Sequence, residues 1–214
     1  MKEPLPRNSE KSIPRLRIEN LSDLVFGLAL SIGALALIGK PPTTPADVQS
    51  DIVSFGFSFL ILISVWLRYT RIVSVLPVET GFIVLLNTIL LFLVSIEPCL
   101  FSLLTLRSGD FSEYASVLYA LDLGGLMAIL SIFTHMLTIE EKKLIMHAQI
   151  SRQKAIRTAL ALSALVFLLS TLPQFWSWRL DDSPLRILLW YLVLPMVWST
   201  RFIRPQMSPK RFRG

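Results

Sequence analysis

The sequence predicts an all-α membrane protein with six transmembrane helices. Three observations favour this fold: six long apolar runs, an alternating distribution of basic residues between them, and a composition that is 53% hydrophobic but only 17% charged. A helix needs about 20 residues to cross roughly 30 Å of hydrocarbon, because it rises about 1.5 Å per residue. The predicted spans are Leu21–Gly39, Val48–Leu67, Thr80–Leu106, Tyr114–Ile139, Thr158–Trp178 and Leu185–Ile203.

Lysine and arginine residues are distributed unevenly between these spans. The alternate segments that include both termini carry 17 of them, whereas the segments in between carry only 4. Basic residues beside transmembrane helices favour the cytoplasmic side, so both termini are predicted to be cytoplasmic. An odd number of spans would break the alternation. We therefore divide the chain into a cytoplasmic N-terminal segment (1–16), a six-helix transmembrane domain (17–204) and a cytoplasmic basic tail (205–214).

Composition and charge argue against several classes of protein. The net charge of +6 comes from residues beside the spans, where anionic lipid of the cytoplasmic leaflet is a sufficient partner, and nucleic-acid binding is not expected. The single cysteine, Cys99, excludes an intrachain disulfide and has no cysteine partner for a metal site. His135 and His147 do not cluster with acidic residues at metal-ligand spacing. We expect no cofactor and no enzymatic activity.

Proline residues mark the ends and irregular points of the predicted helices. The segment Lys40–Pro45 contains three prolines and predicts a stiff turn after the first helix. Ser183–Pro184 precedes the last helix, and proline is tolerated in a first helical turn because its missing N–H has no helical partner there. Pro98, Pro173 and Pro195 lie within or near the ends of spans, where they predict kinks.

The first predicted helix is rich in small residues and carries a narrow stripe of leucines. Small residues at four-residue spacing allow helices to approach closely. At about 100° per residue, four further positions lie within about 60° of one another. They are Leu24, Leu28, Ser31 and Leu35. This stripe is explained either by core packing or by the lining of a pore, where leucines form a hydrophobic constriction.

Polar residues of three helices are predicted to meet near the cytoplasmic face, where the first and third helices begin and the second ends. These residues are Arg17, Ser22, Asp23, Trp66, Arg68, Tyr69, Arg71 and Asn87. Charge inside a membrane is costly and is normally paired. Asp23 is therefore expected to pair across helices with Arg68 or Arg71. A structural role is favoured for the cluster as a whole.

Glu97 and Asp122 form a second acidic pair, toward the outer side. Each lies about nine residues from the outer end of its predicted helix, so the two side chains share a depth. Gly124 and Gly125 beside Asp122 permit close packing. The pair is interpreted either as a cation-attracting vestibule or proton site, or as a partner of arginine residues at the outer rim. The candidate arginines are Arg107, Arg179 and Arg186.

The start of the first helix also carries a short recognisable motif. Arg17-x-x-x-Leu21-Ser22-Asp23 resembles the Arg-x-x-x-Phe-Ser-Asp signature on the first helix of the transmembrane protein 175 family of potassium channels. The similarity continues through Val25–Leu30.

Two later helices extend the resemblance and also show where it fails. Phe59 and Trp66 on the second helix are similar to the family, as are Asn87, Ser95 and Pro98 on the third. The motif's Phe is replaced by Leu21, which could alter its packing. Tyr69 and Thr70 stand where prokaryotic members often have histidines, so no role of a histidine is carried over.

The resemblance implies a homotetramer in which each six-helix subunit contributes its first helix to a central pore for K⁺. In such a channel Leu28 would form the narrowest ring, with Ser31 and Leu35 further along the pore. These residues belong to the stripe that helix geometry selects, which also includes Leu24. The residues implied to brace the pore helix are Arg17, Leu21, Ser22, Asp23, Trp66 and Asn87. The implied location is the plasma membrane.

Ion selectivity in such a protein must come from side chains, because the sequence contains no Thr-Val-Gly-Tyr-Gly loop. K⁺ holds its water less tightly than Na⁺, so an apolar neck favours K⁺ modestly. The alternative function is a proton-coupled secondary transporter that uses Glu97 and Asp122. Such transporters are commonly built from internal repeats, and the two three-helix halves show no convincing repeat.

Overall fold

A computed structural model describes residues 13–35, 43–74, 80–106, 110–144, 147–180 and 183–199. These residues form seven helices and one short two-stranded antiparallel ribbon, in which Arg179 pairs with Pro184. The elements are α1 (Ile13–Leu35), α2 (Pro45–Val73), α3 (Gly81–Leu106), α4 (Asp110–Leu144), α5 (His147–Ser170), α6 (Gln174–Ser177), β1 (Arg179–Leu180), β2 (Ser183–Pro184) and α7 (Leu185–Ser199).

Among the described residues, five helices are long and apolar enough to cross a membrane, and they correspond to the first five predicted spans. Their apolar stretches are Arg17–Leu35, Pro45–Val73, Gly81–Leu104, Phe111–Ile139 and Arg152–Ser170. The sixth predicted span begins with α7, an apolar helix of 15 residues, and its remaining residues 200–203 lie outside the described part of the chain. The molecule is therefore an α-helical membrane protein.

The fifth predicted span ends earlier than the sequence indicates. Helix α5 ends at Ser170, whereas the apolar run was predicted to continue as one helix to Trp178. Pro173 accounts for this break, because proline has no N–H to donate and disfavours helical backbone in the residue before it. It lies at the N-terminal cap of the separate helix α6. Pro98 and Pro195 lie inside α3 and α7.

A buried arginine satisfies the carbonyl groups at the end of α5. Arg186 is fully buried, and its Nε donates to the Ser170 carbonyl at 2.6 Å. Its Nη2 donates to the carbonyls of Thr171 and Leu172 at 3.1 and 3.2 Å, and its Nη1 donates to Ser116 Oγ at 2.6 Å. The last carbonyls of a helix lack helical partners and carry partial negative charge. Arg186 therefore joins α7 to the end of α5 and to α4.

Helix α4 lies at the centre of the bundle, where α3 and α5 pack against it. Two glycines permit these contacts at close range. A Cβ atom at Gly124 would lie 3.2 Å from Leu168 Cδ2 of α5, and one at Gly125 would lie 3.0 Å from Leu93 Cδ1 of α3. The glycine pair therefore allows the close packing that the sequence predicts around Asp122.

The N-terminus of α2 is fixed by reciprocal hydrogen bonds. Asp47 N donates to Thr44 Oγ1 at 3.2 Å, and Thr44 N donates to Asp47 Oδ2 at 2.9 Å. Pro45 occupies the first turn. This capping box defines where the second helix begins after the predicted turn, whose residues 40–42 are outside the described ranges.

Candidate functional site

The predicted pore-lining stripe lies on the exposed face of α1. The side chains of Leu24, Leu28 and Leu35 are 59%, 53% and 61% exposed in the subunit. Ser31 is also exposed, and its hydroxyl donates to the Gly27 carbonyl at 2.9 Å. Because none of the four is buried, packing within the subunit core does not explain the stripe. Its surroundings in the membrane are lipid, a neighbouring subunit or a pore.

The opposite face of α1 packs into the subunit. Ser22, Phe26, Ala29 and Gly33 are buried at alternating spacings of four and three residues, which is the period of one helix face. The ring of Phe26 lies 5.6 Å from that of Tyr69 on α2. Helix α1 therefore has one face held by the neighbouring helices and one face, carrying the stripe, that the other described residues leave open.

A chain of hydrogen bonds joins three helices near the N-terminal part of α1. Ser22 Oγ lies 2.6 Å from the Tyr69 hydroxyl oxygen, and the Tyr69 hydroxyl donates to Asn87 Oδ1 at 2.6 Å. Ser22 Oγ also lies 2.8 Å from the Ile18 carbonyl, so its single proton serves one of two acceptors. This chain links α1, α2 and α3 through side chains that the protein buries.

Tyr69 joins Ser22 to Asn87, although it was not among the residues predicted to brace α1. Its position at the same depth was the available signal in the sequence. Its burial is almost complete, with 1% of the residue exposed. Ser22 and Asn87 are thus brought together, but only through this tyrosine.

Asp23 forms a hydrogen bond with the second helix, as expected, but its partner is a tryptophan and not an arginine. Trp66 Nε1 donates to Asp23 Oδ1 at 2.9 Å. Arg68, one of the two expected partners, donates through Nη2 to the Val197 carbonyl of α7 at 2.6 Å. Trp66 was predicted to brace α1, and this contact gives it a physical means of doing so.

Arg17 and Leu21 lie on the exposed surface of α1. Leu21 is 54% exposed, so the leucine that replaces the motif's phenylalanine is not packed within the described part of its own subunit. These two predicted bracing residues are therefore separated from the buried chain formed by Ser22, Tyr69 and Asn87.

Glu97 and Asp122 are both buried, with 1% and 3% of each residue exposed. Glu97 Oε1 accepts hydrogen bonds from Ser58 Oγ at 2.5 Å and from the Tyr119 hydroxyl at 3.0 Å. Neither carboxyl oxygen of Asp122 has a hydrogen-bond partner among the residues described.

The arginines considered as partners of this pair lie elsewhere or outside the described ranges. Arg186 binds the end of α5, Arg179 is exposed on β1, and Arg107 falls outside the structure's described residues. The partners that Glu97 does have, Ser58 and Tyr119, were not predicted. Hydroxyl residues are common in apolar spans, so the sequence offered no signal that distinguished them.

Within the described ranges, no group of three or more His, Cys, Asp or Glu side chains could hold a metal ion. Among the described residues, one face of α1 packs on the rest of the bundle and the opposite face, which carries the stripe, is left uncovered.

Comparison with known families finds a match for the first part of the chain. Residues 17–98 match the model of the family described as endosomal/lysosomal potassium channel TMEM175. This stretch contains nearly all of α1, all of α2 and most of α3, and it is similar to that family. The resemblance predicted from the motif on the first helix is thereby confirmed.

Two solved structures share the fold. A lysosomal potassium-selective channel TMEM175 homolog from Chamaesiphon minutus is 18% identical, with a TM-score of 0.65 over 87% of this chain and 98% of that one. A single-residue variant of the potassium channel MtTMEM175, bound to a nanobody–MBP fusion protein, is 20% identical, with a TM-score of 0.58 over 90% and 93%. None of the curated proteins matches this sequence.

Proposed function

We propose that this protein is a potassium-permeable cation channel in which the α1 helices of four subunits surround a central pore. The observation that carries the proposal is the exposed stripe on α1, because it lies on the helix that bears the family motif. A helix with one face fixed by its subunit and one aliphatic face uncovered is suited to line a conduit at a symmetry axis. The family match over residues 17–98 supports a channel rather than a transporter.

In this channel the ring of Leu28 side chains is the hydrophobic constriction. Leu24 and Leu35 form apolar rings on either side, and Ser31 supplies hydroxyls one turn away from Leu28. An apolar neck conducts an ion only if the ion sheds or carries its water at an acceptable cost. Since K⁺ is less tightly hydrated than Na⁺, we expect K⁺ to be preferred modestly.

The buried chain through Tyr69 and the contact from Trp66 to Asp23 then have a mechanical role. They fix the rotation and depth of α1, and so decide which side chains face the axis. We also propose that α7 completes a sixth crossing, that both termini are cytoplasmic and that the channel lies in the plasma membrane. Anionic lipids would bind the basic cytoplasmic segments.

The experiment that tests the proposal is a bi-ionic recording from purified protein in planar bilayers, with K⁺ on one side and Na⁺ on the other. We expect discrete unitary currents that reverse on the K⁺-favouring side. The Leu28→Ala variant should conduct more and select less, because a wider neck lets ions keep more water.

Leu162→Ala is a matched control, since Leu162 is 47% exposed on α5 and lies outside the stripe. It should leave permeation unchanged. Protein that is tetrameric and folded but carries no current would refute the channel. Unchanged permeation in Leu28→Ala would refute Leu28 as the constriction.

A further inference from the structure

A small cavity lies between α2, α3, α4 and α7, at the end of the bundle where α2 begins and α3 ends. Its volume is about 200 Å³. This is below the roughly 300–1,000 Å³ of cavities that hold drug-sized ligands, so it suits a molecule of only a few heavy atoms. It lies away from the exposed stripe of α1 and takes no part in the proposed pore.

Five aromatic rings line this cavity, and we call them the aromatic cage. They are Phe57, Phe101, Tyr119, Trp190 and Tyr191. The rings form two contacting groups. The centroids of Phe57 and Tyr191 are 4.9 Å apart, and Tyr119 lies 5.5 Å from Trp190 and 6.4 Å from Phe101. Four of the rings are buried and Tyr191 is 38% exposed, so Tyr191 lies at the open side of the cage.

Among the described residues that line the cage, the one charged side chain is negative. Asp51 lines the cavity, together with the hydroxyl residues Ser50, Ser54 and Ser112. Behind the wall, the Tyr119 hydroxyl donates to buried Glu97. No Lys, Arg or His side chain is among the described residues that line it. Arg186 is near in sequence to the wall residue Ile187, but its guanidinium donates to the carbonyls at the end of α5.

We propose that the aromatic cage and Asp51 bind a small organic ammonium ion. Aromatic rings attract cations through their negative faces, and such cages are a recurrent way of recognising alkylated ammonium groups. Asp51 supplies the opposing charge. A divalent metal is a poor fit, because it prefers several oxygen ligands and a single carboxylate lines the cavity. A neutral apolar ligand would leave Asp51 and the hydroxyls unused.

The test is equilibrium binding of tetramethylammonium to the full-length protein in detergent, followed by saturation-transfer NMR of the methyl protons. We expect saturable binding that tert-butanol, a neutral molecule of similar size, does not displace at equal concentration. Asp51→Asn should weaken binding about tenfold or more, and Tyr191→Leu about threefold to tenfold, as expected for a lost charge and a lost cation–π contact. Tyr191→Phe should retain most of the affinity.

Matched controls separate the cage from other sites. Asp47→Asn changes a carboxylate one turn away on α2, and Tyr114→Leu removes an exposed tyrosine of α4 that does not line the cavity. Both should bind normally. Binding that is lost in Leu28→Ala but kept in Asp51→Asn would place the ion in the proposed pore and overturn this assignment. Absence of saturable binding, or displacement by tert-butanol, would also overturn it. If Asp51→Asn fails to fold, the affinity of Tyr191→Leu for tetramethylammonium decides whether the cage is the binding site.

Discussion

Trp66 Nε1 donates a 2.9 Å hydrogen bond to Asp23 Oδ1, across the contact between the first and second helices. Asp23 lies within residues 17–98, the stretch that matches the model of the TMEM175 family. Trp66 lies one turn before the tyrosine that bonds to Ser22. Two adjacent turns of α2 therefore hold two adjacent residues of α1. Rotation of α1 about its axis would break both contacts at once.

This relationship predicts that Asp23→Ala and Trp66→Phe have similar effects on assembly. Each removes one hydrogen bond to a charged group at a partly exposed position, and the expected loss is about 1 kcal/mol. We expect a lower yield of tetramer on size-exclusion chromatography, with unitary conductance nearly unchanged in the channels that do form. Normal assembly with altered permeation would contradict a bracing role and place Asp23 in the ion path.

Tyr69→Phe tests the buried chain between α1 and α3. The variant keeps the ring that packs on Phe26 but removes the hydroxyl that reaches both Ser22 and Asn87. Buried polar groups that lose a partner cost about 1–3 kcal/mol, so the unfolding temperature in detergent should fall. Tyr114→Phe, at a tyrosine that is 60% exposed, is the matched control and should have no effect. Equal stability of the two variants would refute the structural importance of the chain.

The positions of the first five spans could be predicted because hydrophobic length is a property of consecutive residues. The end of the fifth could not, since the apolar run continues through Pro173 and the turn after Ser170 depends on Arg186, a contact between residues 16 apart. For the candidate site, helix direction and depth placed Asp23 and Trp66 at one level. The residue of α2 that Asp23 contacts also depends on the direction in which side chains point around the helix. Depth in the membrane does not specify that direction.

Arg186→Leu tests the junction between α5 and α7. The substitution leaves the carbonyls of Ser170, Thr171 and Leu172 without the donor that Arg186 provides, and Ser170 is fully buried. Several lost hydrogen bonds of a charged donor should together cost about 3–5 kcal/mol, and the protein should unfold at a markedly lower temperature. Arg186→Lys should recover only part of the loss, because an ammonium group cannot reproduce the guanidinium geometry.

Arg179→Leu is the control for this experiment, since Arg179 is an exposed residue on β1. It should unfold like the wild type. If Arg186→Leu were as stable as Arg179→Leu, water or lipid headgroups would have to satisfy the three carbonyls, and the buried position of Arg186 would not be needed for the turn.

The two buried carboxyl groups predict opposite responses to replacement by leucine. Glu97→Leu removes the acceptor of two buried hydroxyls, those of Ser58 and Tyr119, and should destabilise the protein by about 2–4 kcal/mol. Asp122→Leu removes a group whose oxygens have no partner in the described part of the molecule, so it should be neutral or stabilising.

Two measurements on both variants, thermal unfolding and ion flux into proteoliposomes, distinguish a structural role of Asp122 from a functional one. Flux unchanged in a stabilised Asp122→Leu protein would mean that conduction does not need the carboxyl group. A stabilised protein with reduced flux would mean that Asp122 contributes to ion movement at the expense of stability. Destabilisation by Asp122→Leu would contradict the prediction, because it would require a favourable partner for this carboxyl group in the native protein.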